Sequence, residues 1–147
     1  MTKFKYIFAL IIAMIVIASC QREDNFTVEQ QQEINKVAGK WYLKAYLDDQ
    51  LIFDSVNVVI SESLGDSITI KDTINKFWSF QTKAALSDNK SEFQTELSVN
   101  ENSPFEIGVK IANGKVINSD SIYLEIQFED DVTPFGNTYQ LKGHRAS

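Results

Sequence analysis

The sequence predicts an all-β protein, an antiparallel barrel or sandwich preceded by one short helix. Three observations carry that expectation. From Trp41 onward apolar residues recur at every second position, the period of a strand with one buried face. The clearest cases are Phe105, Ile107, Val109, Ile111 and Ile122, Leu124, Ile126, Phe128, with Glu, Lys or Gln on the opposite phase. Turn-forming pairs separate many short runs, the pattern of antiparallel β domains. The polar residues on alternate positions exclude a parallel sheet buried on both faces.

Taken in order, residues 21–26 are a polar tether. Thr27-Val28-Glu29-Gln30 carries a capping-box pattern, and Val28, Ile34 and Val37 line one face of a short helix ending near Gly39. Trp41, Leu43, Ala45 and Leu47 then oppose Tyr42, Lys44 and Tyr46 in a first strand, and Asp48-Asp49 turns the chain. Strand runs follow at Val56–Ser61, Ser67–Lys71, Lys76–Lys83 and Glu92–Val99. The last four are Phe105–Ala112, Lys115–Ile117, Ser121–Glu129 and Asn137–Gly143. Asn113-Gly114 is expected to be a hairpin turn, because both residues tolerate the positive φ that tight hairpins need. Gly136-Asn137 marks another turn. Phe77 and Phe80 fall on opposite phases of one predicted strand, leaving its register open.

The first nineteen residues have a different character. Lys3 and Lys5 precede an apolar run from Tyr6-Ile7-Phe8 to Ile15-Val16-Ile17, which ends in Ala18-Ser19-Cys20. The run is shorter than the ~20 residues a membrane span requires, and small residues precede the cut site, as in a secretory signal. Its ending resembles the lipobox of bacterial lipoproteins. The resemblance implies cleavage before Cys20, a diacylglyceryl group on its sulfur and acylation of the new amino end. Three segments are expected: signal peptide 1–19; lipidated Cys20, tether and short helix over 20–35; and a β domain over 36–147. No Asp follows Cys20 directly, and Gln21-Arg22-Glu23-Asp24 resembles the acidic export signal of surface lipoproteins. The expected address is the bacterial outer membrane, with cell-surface exposure as its extension and the membrane as partner through the anchor.

Composition narrows the chemistry. The net charge is −6, and the signal segment contains two lysines and no acid, so the remainder is more acidic still. No basic stripe is present to neutralise phosphates, which argues against nucleic-acid binding. The one cysteine is assigned to the lipid, leaving no disulfide and no thiol nucleophile. His144 is the single imidazole, too few for a zinc site of several His or Cys ligands and the only base for a serine hydrolase. Gly65-Asp66-Ser67 lacks the second glycine of a nucleophile elbow. Glu129-Asp130-Asp131 and Asp48-Asp49 could serve glycoside hydrolysis or calcium, but adjacent acids at turns are ordinarily solvated. No catalytic residue, metal ligand or cofactor is assigned.

Gly39-Lys40-Trp41 opens the first strand as the Gly-x-Trp of lipocalins does. Asp120-Ser121-Ile122-Tyr123 leads to Phe128-Glu129-Asp130-Asp131, and the chain closes with Tyr139-Gln140-Leu141-Lys142-Gly143-His144-Arg145. Together these resemble the Bacteroidetes lipoproteins described as a lipid-binding putative hydrolase family. The resemblance implies an up-and-down, lipocalin-like β-barrel over residues 36–147. It also implies barrel closure by Arg145 stacked on Trp41 above Gly39. If such a barrel is hollow, Trp78, Phe80, Phe93, Phe105 and Phe128 are the candidate contacts for a small apolar or amphiphilic ligand. If it is filled, the same aromatics are core and the protein is a surface-interaction or structural lipoprotein of unknown partner, docking through a patch around Phe77, Trp78 and Phe135. A hydrolase is the third reading.

Overall fold

The computed structural model describes residues 36–146, so the signal segment, Cys20 and residues 27–35 of the expected helix lie outside the described residues. The end of that helix, expected near Gly39, is corrected: residues 36–38 form a turn that leads straight into the first strand. Among the described residues, eight strands run in sequence: β1 Gly39–Leu47, β2 Gln50–Ser63, β3 Ser67–Asp72, β4 Gln81–Leu86, β5 Glu92–Val99, β6 Gly108–Asn118, β7 Ser121–Phe128 and β8 Tyr139–Arg145. Each pairs antiparallel with its chain neighbours, and β8 returns to β1, closing the barrel. The fold is an eight-stranded antiparallel up-and-down barrel, with its thinnest seam between β4 and β5, which pair only at Ala85–Gln94 and Leu86–Phe93.

The period-two pattern does the sorting. In β7, Ile122, Leu124, Ile126 and Phe128 are buried while the residues between them reach the outer wall. Val56, Val58 and Ile60 of β2 and Ile68 and Ile70 of β3 behave likewise. The core spans Val37 to Leu141 and lies wholly within the barrel unit, Ile34–Ser147. With its own core and a closed ladder, that unit is self-sufficient for folding.

Antiparallel order sends the connections to two ends. Residues 64–66, 87–91 and 119–120, with 36–38, lie at one end, here the floor. Asp48-Asp49 and the longer stretches 73–80, 100–107 and 129–138 lie at the other, the mouth. Asp48 and Asp49 both take positive φ, at 49° and 63°, giving the two-residue turn whose twist matches its flanking strands.

Three further local expectations are corrected. Asn113-Gly114 is not a hairpin turn but a bulge inside the continuous strand β6, where the pairing with β7 slips between Ala112 and Lys115. Asn113 still takes a positive φ of 52°, so the same backbone permissiveness serves a bulge. A Cβ on Gly114 would lie 2.5 Å from the Phe93 ring and carbonyl, so this glycine also lets β5 approach. Residues 76–80 are not strand; β4 begins at Gln81, which resolves the two-phase placement of Phe77 and Phe80. Phe105 does not share the core phase of Val109 and Ile111, because β6 begins only at Gly108 and leaves Phe105 73% exposed. Two runs were also longer than expected: β2 starts at Gln50, and Lys115–Ile117 belongs to β6.

Candidate functional site

The floor is sealed by residues from both ends of the barrel sequence. The Arg145 guanidinium carbon lies 4.1 Å from the Trp41 ring centroid, and Trp41 is completely buried. Arg145 Nη1 donates to the Ala38 carbonyl at 2.8 Å, Nη2 to Lys36 at 2.7 Å and Nε to Ser119 at 3.1 Å. The Trp41 indole donates to the Val37 carbonyl at 3.0 Å. Gly39, at φ 137°, leaves room for the guanidinium, since a Cβ there would sit 2.6 Å from Arg145 Nη1. A planar five-donor fork suits this position, satisfying several loop carbonyls while its face covers an indole.

The mouth is different. The β3–β4 connection folds Phe77 and Trp78 across it, above Phe80, Phe128 and Tyr139. Trp78 stacks on Phe128 with ring centroids 4.3 Å apart and planes 2° from parallel. Phe77 meets Tyr139 edge-on at 5.5 Å and Phe53 at 6.1 Å, and Phe80 lies 5.6 Å from Phe128. Phe80 and Phe128 are fully buried, whereas Phe53, Phe77 and Trp78 are half-buried against the core. Exposed Leu51, Ile52, Ile74, Val99, Phe105 and Val132 all belong to the mouth half.

The acids of the β7–β8 connection anchor this cluster. Glu129 Oε2 accepts the Gly108 amide at 2.6 Å, Asp130 Oδ1 accepts the Trp78 indole at 3.1 Å, and Asp131 Oδ2 accepts the Tyr139 hydroxyl at 2.8 Å. Burial raises the Tyr139 phenol above its usual value, reinforced by that bond to Asp131. At Asp131 burial pulls the other way, yet hydrogen bonds from Tyr139, the Val132 amide and Asn137 outweigh it and hold the carboxyl below the usual range. No group of acids that could hold a metal occurs among the described residues.

Of the residues singled out from sequence as ligand contacts, Trp78, Phe80 and Phe128 converge at the mouth. Phe105 stands exposed on the β5–β6 connection. Phe93 is buried near the floor end of β5, beneath an open outer-wall groove of about 690 Å³ bordered by Leu86, Lys115, Tyr123 and Glu125. Burial, then the hydrogen bond to Glu125, push the Tyr123 phenol up to about 12. The sequence offers Phe77 a functional place only in a docking patch with Trp78 and Phe135, and it assigns no functional role to Tyr139 or Asp72. Asp72 could have been found: it continues the inward phase of Ile68 and Ile70 in β3.

His144 faces the outer wall, edge-on to Tyr42 at 6.1 Å and opposite Ser121 in the β7–β8 register. Both border a second groove of about 560 Å³ that also includes Asp54. Among the described residues no hydrogen bond joins His144 to a serine or a carboxylate, the linkage on which activation of a serine depends.

The sequence profile of the lipid-binding putative hydrolase family matches residues 27–147, and the chain belongs to that family. No curated protein and no solved structure gives a significant match.

Proposed function

We propose that this protein is an outer-envelope lipoprotein, anchored through Cys20, that captures a small apolar or amphiphilic molecule at the barrel mouth without chemical turnover. The observation that carries the reading is the half-buried pair Phe77 and Trp78, laid over Phe128 and Tyr139 by a segment outside the strand ladder. An apolar chain entering there exchanges aromatic contacts for its own, at little net cost in buried area. Deeper tiers are occupied by Ile70, Ile126 and Leu141, so the ligand replaces the aromatic cover instead of filling a channel. Membership of a lipid-binding family supports the same ligand class.

The two tryptophans sit at opposite ends, which supplies a test on residues 21–147, a chain containing the whole self-sufficient unit. Native mass spectrometry should detect a discrete lipid-range mass that denaturation releases. Adding a long-chain alcohol should alter the emission of Trp78 and leave Trp41 unchanged, so Trp78→Phe abolishes the response and Trp41→Phe preserves it. A clean apo mass together with an unresponsive Trp78 would refute binding. That result favours the second reading, a packed barrel that docks a partner through its exposed mouth residues, which the filled interior supports. The anchor has its own test: Cys20→Ala should move the protein out of the membrane fraction or leave it unprocessed, and a mature, membrane-attached Cys20→Ala protein would refute lipidation.

A further inference from the structure

We infer that the mouth selects an amphiphile whose polar head donates hydrogen bonds, an ammonium in preference to a carboxylate, and that Asp72 receives it. The inference rests on ligand capture at the mouth and adds the head-group chemistry.

Asp72 ends β3 opposite Val58, on the inward phase, and is 1% exposed. Its Oδ1 accepts the Ile74 and Asn75 amides at 3.0 and 3.1 Å, which shapes the start of the covering segment. Its Oδ2 is buried and has no hydrogen-bond partner among the described residues. Native proteins rarely bury an acceptor without a donor, and such an atom calls for an explanation. Here the orphan oxygen lies at the root of the segment that carries Phe77 and Trp78. Displacing that segment uncovers Oδ2 at the depth where a head group would rest while its chain takes the place of the rings.

The surroundings select the sign of the head. Glu129, Asp130 and Asp131 stand on the neighbouring mouth connection, engaged with the Gly108 amide, the Trp78 indole and the Tyr139 hydroxyl. Of the mouth-side cations, Lys110 lies over the Phe135 ring at 4.3 Å, Lys83 pairs with Glu101 at 3.8 Å, and Lys76 is exposed on the covering segment itself and leaves with it when that segment is displaced. The acids therefore set a negative local field, and moving Trp78 frees a further acceptor on Asp130. A donor-rich cationic head satisfies these oxygens with charge-assisted bonds, whereas a carboxylate brings only more acceptors.

The test measures binding of decylamine, decanol and decanoate to residues 21–147 by calorimetry at neutral pH, below their micelle concentrations. Decylammonium should bind about tenfold or more tighter than decanoate, with decanol between them. Asp72→Asn keeps an oxygen for the Ile74 and Asn75 amides but presents an N–H where Oδ2 stood, so the preference should shrink by about tenfold. Equal affinity for decanoate and decylammonium in the unaltered protein overturns the inference and leaves ligand capture standing. A head-group preference unchanged in a folded Asp72→Asn protein overturns the role of Asp72. Failure of all three probes to bind removes ligand capture, and this inference with it.

Discussion

Replacing Arg145 by Ala should open the floor of the barrel, and the loss can be worked from its contacts. Three guanidinium nitrogens donate to the carbonyls of Lys36, Ala38 and Ser119. Two of these bonds are exposed, so rehydration recovers much of their value, and about 0.5 kcal/mol each is a fair net figure. The contact with the Trp41 ring at 4.1 Å adds about 1 kcal/mol. The sum is about 2.5 kcal/mol, a fall in Tm of about 10 °C for a barrel of this size. Arg145→Lys retains the charge but not the planar fork, and should lose about half as much. Thermal denaturation followed by circular dichroism measures both, and a double-mutant cycle with Trp41→Leu, which removes the aromatic face, should return a coupling of about 1 kcal/mol. If Arg145→Ala melts within about 2 °C of the unaltered protein, or the cycle shows no coupling, the floor is not held in this way.

Three further outcomes are expected. Gly39→Ala should cost about 2 kcal/mol in urea denaturation, since φ 137° is a glycine conformation, and part of that cost should persist beside Arg145→Ala. Gly114→Ala should destabilise by a similar amount, about 2 kcal/mol, because its Cβ meets the Phe93 carbonyl as well as the ring; a neutral effect would mean that the bulge can shift. The raised phenol of Tyr123 adds an alkaline pH dependence. The native state holds the Tyr123 proton more tightly than the unfolded chain does, so this stabilisation is complete below pH 10 and is lost as pH rises through about 12. Tyr123→Phe should flatten stability over that window, and an unchanged pH profile would contradict the assignment. At the acid end the sign reverses: the lowered carboxyl of Asp131 stabilises above the ordinary carboxylate range and loses that contribution as pH falls through its folded value.

Periodicity and turn chemistry were enough to specify the class of fold. Strict alternation in β7 has one solution with a buried face, and the paired aspartates after β1 favour the positive φ of a tight hairpin. Both are local properties, carried by neighbouring residues. The Asn113-Gly114 pair shows where local reading ends. Its conformational freedom is plain from sequence, but whether it turns the chain or bulges a strand depends on the partners that β5 and β7 offer. The same limit applies to Phe105: alternation is read across the start of a strand as easily as within it, and only the sheet defines where pairing begins at Gly108.

The mouth cluster was half legible. Trp78, Phe80 and Phe128 stand out as aromatics, but their meeting joins the β3–β4 connection to the end of β7, a contact between residues about fifty positions apart. Asp72 reads as one more polar strand residue until the burial of Oδ2 and the two amides on Oδ1 are seen together. The sequence by itself determined that the chain must form an antiparallel sheet with one apolar face. Barrel closure and the Arg145–Trp41 stack were implied by the family resemblance; only the tertiary structure decided which carbonyls hold the guanidinium and that aromatic rings from the β3–β4 connection cover the mouth. Hydrophobic periodicity orders residues along a strand, while closure and the pairing of distant side chains depend on the register of β1 with β8 and on where each connection lands.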